Sequence, residues 1–126
     1  MTPLETVNEF IGRVCAKDLD GACELVSGDI EYDNVPMGKN HGPEGVNAFL
    51  SPMIDGFDTV EFIVHRETAT GTTVMNERTD RFVAGDKQFD LPVMGVFELD
   101  ADGKISLWRD YFDMAPVHAM MAAMSD

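Results

Sequence analysis

The stretch Trp108-Arg109-Asp110-Tyr111-Phe112-Asp113 has the pattern of a β-strand that carries a carboxylate on a buried face. Because side chains alternate between the two faces of a strand, Trp108, Asp110 and Phe112 share one face. Arg109 points to the opposite face, and we interpret it as structural. An ionised carboxylate between two aromatic rings is costly to desolvate unless another group pairs with it. The partner of Asp110 must therefore come from elsewhere in the chain.

Composition limits the classes of function. The chain has 126 residues, enough for one domain with a hydrophobic core, and we expect a single domain over residues 1–126. A net charge of −14 argues against binding to nucleic acid or to anionic membrane surfaces. Two cysteines are too few for a disulfide framework. Without a secretory signal pattern or an apolar run of membrane-spanning length, we expect a soluble, cytoplasmic protein.

The N-terminal half has helical patterns. Thr2-Pro3-Leu4-Glu5 contains the signals of a capping box followed by an amphipathic helix. A short second helix is predicted over Leu19–Val26, and a third from Pro43 to a terminating Gly56. The Met- and Ala-rich segment Pro116–Met124 is predicted to be a helix that serves either as a lid or as a dimer contact.

Strand patterns dominate the rest of the chain. Ile30–Val35 alternates as a short strand that ends at Pro36, and Met37–Gly42 is predicted to be a loop. Four longer strands separated by turn residues follow: Thr59–Ala69, Thr72–Ala84, Phe89–Leu99 and Lys104–Phe112. Helices followed by a series of strands predict an α+β fold, with helices packed on one side of a curved antiparallel sheet.

Two pairs of polar residues are candidates for chemistry. Arg78 and Asp80 share one face of the second long strand with Asn76 and are predicted to lie side by side. The alternative is a solvated strand face with surface ion pairs that contribute little to stability. Tyr32 and Asn34 also share a strand face. Their alternative roles are packing in the core and supporting the turn before Pro36.

Together these motifs resemble the limonene-1,2-epoxide hydrolases. The resemblance rests on the order and spacing of four motifs: Tyr32-x-Asn34-x-Pro36, Glu77-Arg78-Thr79-Asp80, Gly95-Val96-Phe97 and Trp108 to Asp113. It implies a cone-shaped α+β fold, shared with nuclear-transport-factor-like proteins, with a deep apolar pocket between the curved sheet and the helices. It also implies a homodimer. By the same resemblance, Asp80, Arg78 and Asp110 form the family's Asp-Arg-Asp triad.

The residue types suit the hydrolysis of an epoxide in one step. By the same resemblance, Tyr32 and Asn34 match the family's water-positioning pair. Asp110, ionised, would then take a proton from the water that they hold, and Asp80, protonated, would donate its proton to the epoxide oxygen. Arg78 bridges the carboxylates, since its planar fork can bond both. This mechanism requires no metal and no organic cofactor. The three histidines have no metal-ligand spacing, and we interpret them as surface or pocket-rim residues: His41, His65 and His118.

The expected substrate is a small lipophilic epoxide, because the candidate pocket residues are apolar. They are Met37, Phe49, Leu50, Met53, Phe62, Leu91, Met94, Trp108 and Phe112. Two alternatives remain open. One is an isomerase or cyclase on the same fold, which needs only one base and an oxyanion donor. The other is a non-catalytic ligand-binding or dimerisation module, in which the five polar residues are dispersed or exposed.

Overall fold

The structure is a computed structural model that describes residues 1–125. It contains four helices and six strands in the following order: α1 (Pro3–Cys15), α2 (Leu19–Cys23), β1 (Val26–Val35), β2 (Gly38–His41), α3 (Gly42–Asp55), β3 (Thr59–Thr70), β4 (Thr73–Ala84), β5 (Lys87–Leu99), β6 (Ile105–Tyr111) and α4 (Met114–Met124). None of the helices within this range is long and apolar enough to cross a membrane.

All six strands form one mixed sheet in the order β2-β1-β6-β5-β4-β3. Neighbouring strands are antiparallel except for β1 and β6, which are parallel. Helix α1 packs against β3 and β4, α3 against β1, and α4 against β5. The predicted α+β class is therefore confirmed.

Helix α1 begins as its sequence predicts. The Thr2 hydroxyl accepts a hydrogen bond from the Glu5 backbone N–H, and the Glu5 carboxylate accepts one from the Thr2 backbone N–H. This reciprocal capping satisfies two donors that a helix N-terminus otherwise leaves unpaired. The buried face of α1 includes Val7, Phe10 and Val14, which pack this helix against the sheet.

Two local predictions are wrong. The second helix ends at Cys23, because Val26 already belongs to β1 and lies opposite Ile105 of β6. The predicted loop Met37–Gly42 contains strand β2, which pairs with β1 in a hairpin. Gly38 has a φ of +130°, a conformation that glycine adopts without steric cost, and it allows the chain to reverse there.

Candidate active site

The site lies on the inner face of the sheet, where β4, β5 and β6 run side by side. On β4, Asn76, Arg78 and Asp80 alternate with residues that are more exposed, so their side chains point inward as the two-residue period predicts. Asp110 of β6 lies opposite Gly95 of β5, which in turn lies opposite Asn76. Strand β5 therefore separates Arg78 from Asp110.

Arg78 bridges the two carboxylates. Its Nε and Nη2 donate to the two oxygens of Asp80, each at 3.0 Å. Its Nη2 and Nη1 also donate to the two oxygens of Asp110, at 2.8 and 3.2 Å. All three side chains are at most 6% exposed. Because both carboxylates neutralise one buried cation, the cluster avoids the large penalty of an unpaired buried charge.

Gly95 gives Arg78 the space to cross β5. Neighbouring strands are roughly 4.8 Å apart, so a side chain from β4 must pass over β5 to reach β6. A Cβ at position 95 would lie 2.4 Å from Arg78 Nη1 and 2.8 Å from an oxygen of Asp110. The bridge between the carboxylates therefore depends on the absence of a side chain at this position.

Trp108 holds Asp110 from the other side. Its indole Nε1 donates to Asp110 Oδ1 at 2.9 Å, so Asp110 accepts from two different residues. The indole ring is fully buried, with the Tyr32 ring stacked on it at 4.0 Å and the Phe97 ring at 5.8 Å between centroids. Because this packing fixes the rotamer of Trp108, it also fixes the direction of its N–H.

The two carboxylates have different surroundings. Burial raises the pKa of Asp80 to about 6, although the adjacent Arg78 opposes this rise. Within residues 1–125, Arg78 alone donates side-chain hydrogen bonds to Asp80, whereas Arg78 and Trp108 both donate to Asp110. For Arg78, burial alone would lower the pKa, but the charges of Asp110 and Asp80 outweigh it and raise the pKa. Asp80 can therefore hold a proton at pH values up to about 6.

Tyr32 and Asn34 lie on β1, next to β6. They are opposite Trp108 and Asp110, and both line the same cavity as the two aspartates. Burial, followed by the charge of Asp110, raises the pKa of Tyr32 well above its usual range, so its hydroxyl keeps its proton. The buried Asn34 Nδ2 has no hydrogen-bond partner within residues 1–125. Both side chains therefore have donors for a small molecule beside Asp110.

An apolar cavity of about 410 Å³ adjoins these polar groups. Ligand pockets of this size suit small organic molecules. Six of the predicted pocket residues line it: Met37, Phe49, Met53, Phe62, Leu91 and Phe112. The remaining wall is also apolar and comes from Pro52, Phe57, Phe82, Val93, Val117, Met120, Met121 and Met124.

Three of the predicted pocket residues lie elsewhere. Leu50 is fully buried in the core beneath α3, and Trp108 is enclosed by other rings. Met94 lies on the opposite face of the sheet and is 49% exposed, because its neighbours Val93 and Gly95 point inward. Of the residues in β5, only those whose side chains point to the inner face of the sheet can reach the cavity.

Sequence reasoning missed several contributors to the site. Helix α4 supplies four cavity residues, and Lys87 Nζ donates to the Ala123 carbonyl oxygen at 2.9 Å near the end of this helix. This position over the cavity fits the lid alternative for the C-terminal segment. Asn76 and Gly95 also belong to the polar cluster. Their signal in the sequence was weak: a shared face with Arg78 and a lone glycine inside a strand.

The described part of the chain holds no cluster of three or more His, Cys, Asp or Glu residues with metal-binding geometry. The three histidines are all exposed: His41, His65 and His118. Cys15 is half-buried, and its Sγ accepts a hydrogen bond from the Phe62 backbone N–H at 3.3 Å. Burial raises the pKa of this thiol to about 11, so it stays protonated at neutral pH.

Comparison with known proteins shows which family the chain resembles. The chain is 36% identical over 108 residues to the epoxide hydrolase EphG of Mycobacterium tuberculosis, covering 86% of this chain and 71% of the relative. A solved structure of an LEH-like (limonene-epoxide-hydrolase-like) epoxide hydrolase from M. tuberculosis superposes with a TM-score of 0.79 at 33% identity. The match covers 97% of this chain and 88% of the other.

A more distant match shows only the shared fold. It is a SnoaL-like polyketide cyclase from Shewanella denitrificans, with a TM-score of 0.83, 14% identity and coverage of 96% and 97%. The limonene-1,2-epoxide hydrolase catalytic domain itself matches residues 1–124, nearly the whole chain. The resemblance inferred from the sequence motifs is thereby confirmed, and the chain belongs to the limonene-1,2-epoxide hydrolase family.

Proposed function

We propose that this protein hydrolyses a lipophilic epoxide to a vicinal diol in one step, without a covalent intermediate. The observation that carries this proposal is the cluster in which Arg78 bonds Asp80 and Asp110 at the polar end of an apolar cavity. An isomerase or cyclase needs one base, and the second carboxylate would then have no task. Dispersed polar residues, the expectation for a non-catalytic module, do not fit hydrogen bonds of 2.8 to 3.2 Å.

The two aspartates divide the acid and base roles. Asp80, whose pKa burial raises to about 6, carries the proton and donates it to the epoxide oxygen as the carbon–oxygen bond breaks. Asp110 stays ionised, held by N–H donors of Arg78 and Trp108, and accepts a proton from the attacking water. Like charges in a dry site favour sharing one proton, so this division is the low-energy state of the pair.

Tyr32 and Asn34 position the water. The Tyr32 hydroxyl and the unpartnered Asn34 amide are polar groups that line the cavity beside Asp110. A water that donates hydrogen bonds to Asp110 and to the Asn34 carbonyl oxygen, and accepts one from the Tyr32 hydroxyl, has one lone pair free for an epoxide carbon. Fixing this geometry before reaction lowers the entropy cost of the attack.

The test replaces Asp110 or Asp80 with Asn, which keeps the size and removes the acid or base function. Diol formation should fall by at least about 100-fold in either variant, since general acid and base catalysis each contribute this much. Circular dichroism would show that both variants fold. An undiminished rate in a folded variant would refute the assignment.

A single turnover in ¹⁸O-labelled water separates direct attack from an enzyme ester. Direct attack of water predicts that the first diol formed already carries the label. An unlabelled first diol, with the oxygen drawn from an aspartate, would contradict the one-step mechanism.

The substrate class follows from the cavity wall. Apart from Tyr32, Asn34 and the two aspartates, the wall consists of apolar residues and has no Lys, Arg or His. A hydrophobic epoxide buries its surface there without leaving a polar group unpaired. A panel of racemic epoxides of increasing carbon number should show kcat/KM rising with apolar area until the cavity is filled.

We also infer a homodimer formed through the outer face of the sheet. Met75, Met94 and Tyr111 lie on neighbouring strands of this face, and each is close to half exposed. Large exposed apolar side chains on one face are typical of interaction sites. Sedimentation should give twice the mass of 13.9 kDa, and Met94→Asp should lower it towards the monomer. A wild-type protein that sediments as a monomer would contradict this inference.

A further inference from the structure

The guanidinium of Arg78 is hydrogen-bonded at every position. Arginine has five N–H donors. Four of those on Arg78 go to carboxylate oxygens of Asp80 and Asp110, and the fifth goes from Nη1 to Asn76 Oδ1 at 2.9 Å. One neutral acceptor therefore completes a shell that is otherwise made of two anions.

Asn76 has no other polar contact through its side chain. It is 2% exposed, and its Nδ2 has no hydrogen-bond partner in the described part of the chain. A buried N–H without an acceptor destabilises a fold, so the Nδ2 group of Asn76 lowers stability at this position. What Asn76 supplies is its carbonyl oxygen, which faces Arg78.

Asn76 does not line the cavity, so it does not reach the substrate. It lies opposite Gly95, on the side of Arg78 that is remote from Asp80. The bond to Nη1 therefore acts on the orientation of the guanidinium plane. This plane must bond both aspartates at once, so a small rotation changes both contacts.

We propose that Asn76 is a positioning residue that locks Arg78 between the two aspartates and keeps the charge of the cluster low enough for one aspartate to ionise. Arg78 with two carboxylates has a net charge of −1, and the net charge is zero when Asp80 carries its proton. A third carboxylate on Nη1 would make each state more negative by one charge. Asp80 would then release its proton only at higher pH.

The main test is Asn76→Asp, which keeps the size and the acceptor and adds one charge. This test rests on the proposed function, in which the reaction needs the protonated form of Asp80. The alkaline limb of the kcat profile is expected to move to higher pH by about one unit, with KM changed less than about twofold. A profile that superposes on that of the wild type would overturn the proposal.

Asn76→Leu removes the acceptor at similar volume. We expect kcat to fall by about 10- to 100-fold through misplacement of Arg78, with KM again nearly unchanged. Ser27→Ala is the matched control, because Ser27 is also buried and polar but bonds only Asp29, outside the cavity. It should leave kcat and the pH profile unchanged. A merely structural role would give a different result. Asn76→Leu would then lower thermal stability without lowering kcat at unchanged KM.

Should Asn76→Asp fail to fold, the pair Asn76→Thr and Asn76→Val replaces it. The two side chains have the same shape and differ by one hydroxyl acceptor, so a higher kcat for Thr supports the proposal and equal values overturn it. Failure of the proposed function is distinguishable from these results. It would appear in the wild type, as an absent alkaline limb together with full activity of Asp80→Asn.

Discussion

Replacing Gly95 with Ala adds one methyl group at the most crowded point of the site. The new Cβ would lie 2.4 Å from Arg78 Nη1, 2.8 Å from Asn76 Oδ1 and 2.8 Å from Asp110 Oδ1. Ordinary van der Waals contact begins at 3.4 Å, so Nη1 would have to move by about 3.4 − 2.4 = 1.0 Å. The Arg78 side chain is buried, and the centroid of the Phe62 ring lies 5.1 Å from its Cζ, so the guanidinium has a neighbour on that face that opposes the shift.

The displacement has two consequences of predictable size. Arg78 Nη1 loses its bonds to Asn76 and Asp110, and a hydrogen bond to a charged group contributes about 1.5–3 kcal/mol. We therefore expect the free energy of unfolding to fall by about 3–6 kcal/mol, the sum over the two bonds. A misplacement of about 1 Å in a catalytic constellation costs on the order of 100-fold in rate, so kcat should fall by that factor.

The assay combines diol formation with urea unfolding. Gly12→Ala is the control: Gly12 is exposed in helix α1, and a Cβ there would meet nothing within 4 Å. This control should gain up to about 1 kcal/mol of stability with unchanged kinetics, because alanine is the better helix former. A Gly95→Ala protein with wild-type kcat and stability would refute the idea that Arg78 needs this gap.

Three further predictions concern charged residues of the sheet. Because Asp80 can donate a proton only in its protonated form, kcat should fall as the pH rises through about 6, with a slope that approaches about tenfold per pH unit. A flat profile of kcat between about pH 5 and 8 would contradict this prediction. Burial raises the pKa of Asp80 from 3.8 to about 6, so its stabilising contribution is complete below 3.8 and lost as the pH rises through 6. Urea unfolding at pH 4 and 7.5 should show the wild type losing up to about 3 kcal/mol relative to Asp80→Asn. Arg109 donates hydrogen bonds to Asp33 and Glu31 at 2.8 Å, away from the cavity. Arg109→Met should therefore lower the free energy of unfolding by about 1–2 kcal/mol and leave kcat unchanged. A large loss of kcat would disprove the structural role of Arg109.

The inward direction of the proposed catalytic side chains was predictable from the sequence. A two-residue period alone places Arg78 with Asp80 on one face of β4, and Asp110 on one face of β6. The bond between Arg78 and Asp110 was not predictable from periodicity, because it depends on the order of strands. The family resemblance predicted the triad. The strand register then explains why Gly95 lies between Arg78 and Asp110.

Errors in the predicted pocket lining have a simple physical origin. Leu91 and Met94 were both assigned to the cavity, yet residues three apart in a regular strand point to opposite faces. Both residues are hydrophobic, but the side chain of Met94 points to the outer face of the sheet, where it is exposed. Helix α4 presented a different difficulty. It is apolar around its whole circumference, so its composition does not indicate which side faces the cavity.

In the proposed mechanism, the different roles of the two aspartates arise from their other neighbours, since one arginine bonds both. Asp110 belongs to a packed aromatic column, where the stacked Trp108 supplies a donor whose direction cannot change. Asp80 has no such additional side-chain donor within residues 1–125, and it lines the cavity as Asp110 does, so an apolar substrate that displaces water there leaves Asp80 with fewer donors to stabilise its charge. Substrate binding should therefore raise the pKa of Asp80 further and load the acid at the moment when it is needed. The aromatic residues next to Asp110 thus act less as a wall for the substrate than as the cause of the asymmetry on which the proposed acid and base catalysis depends.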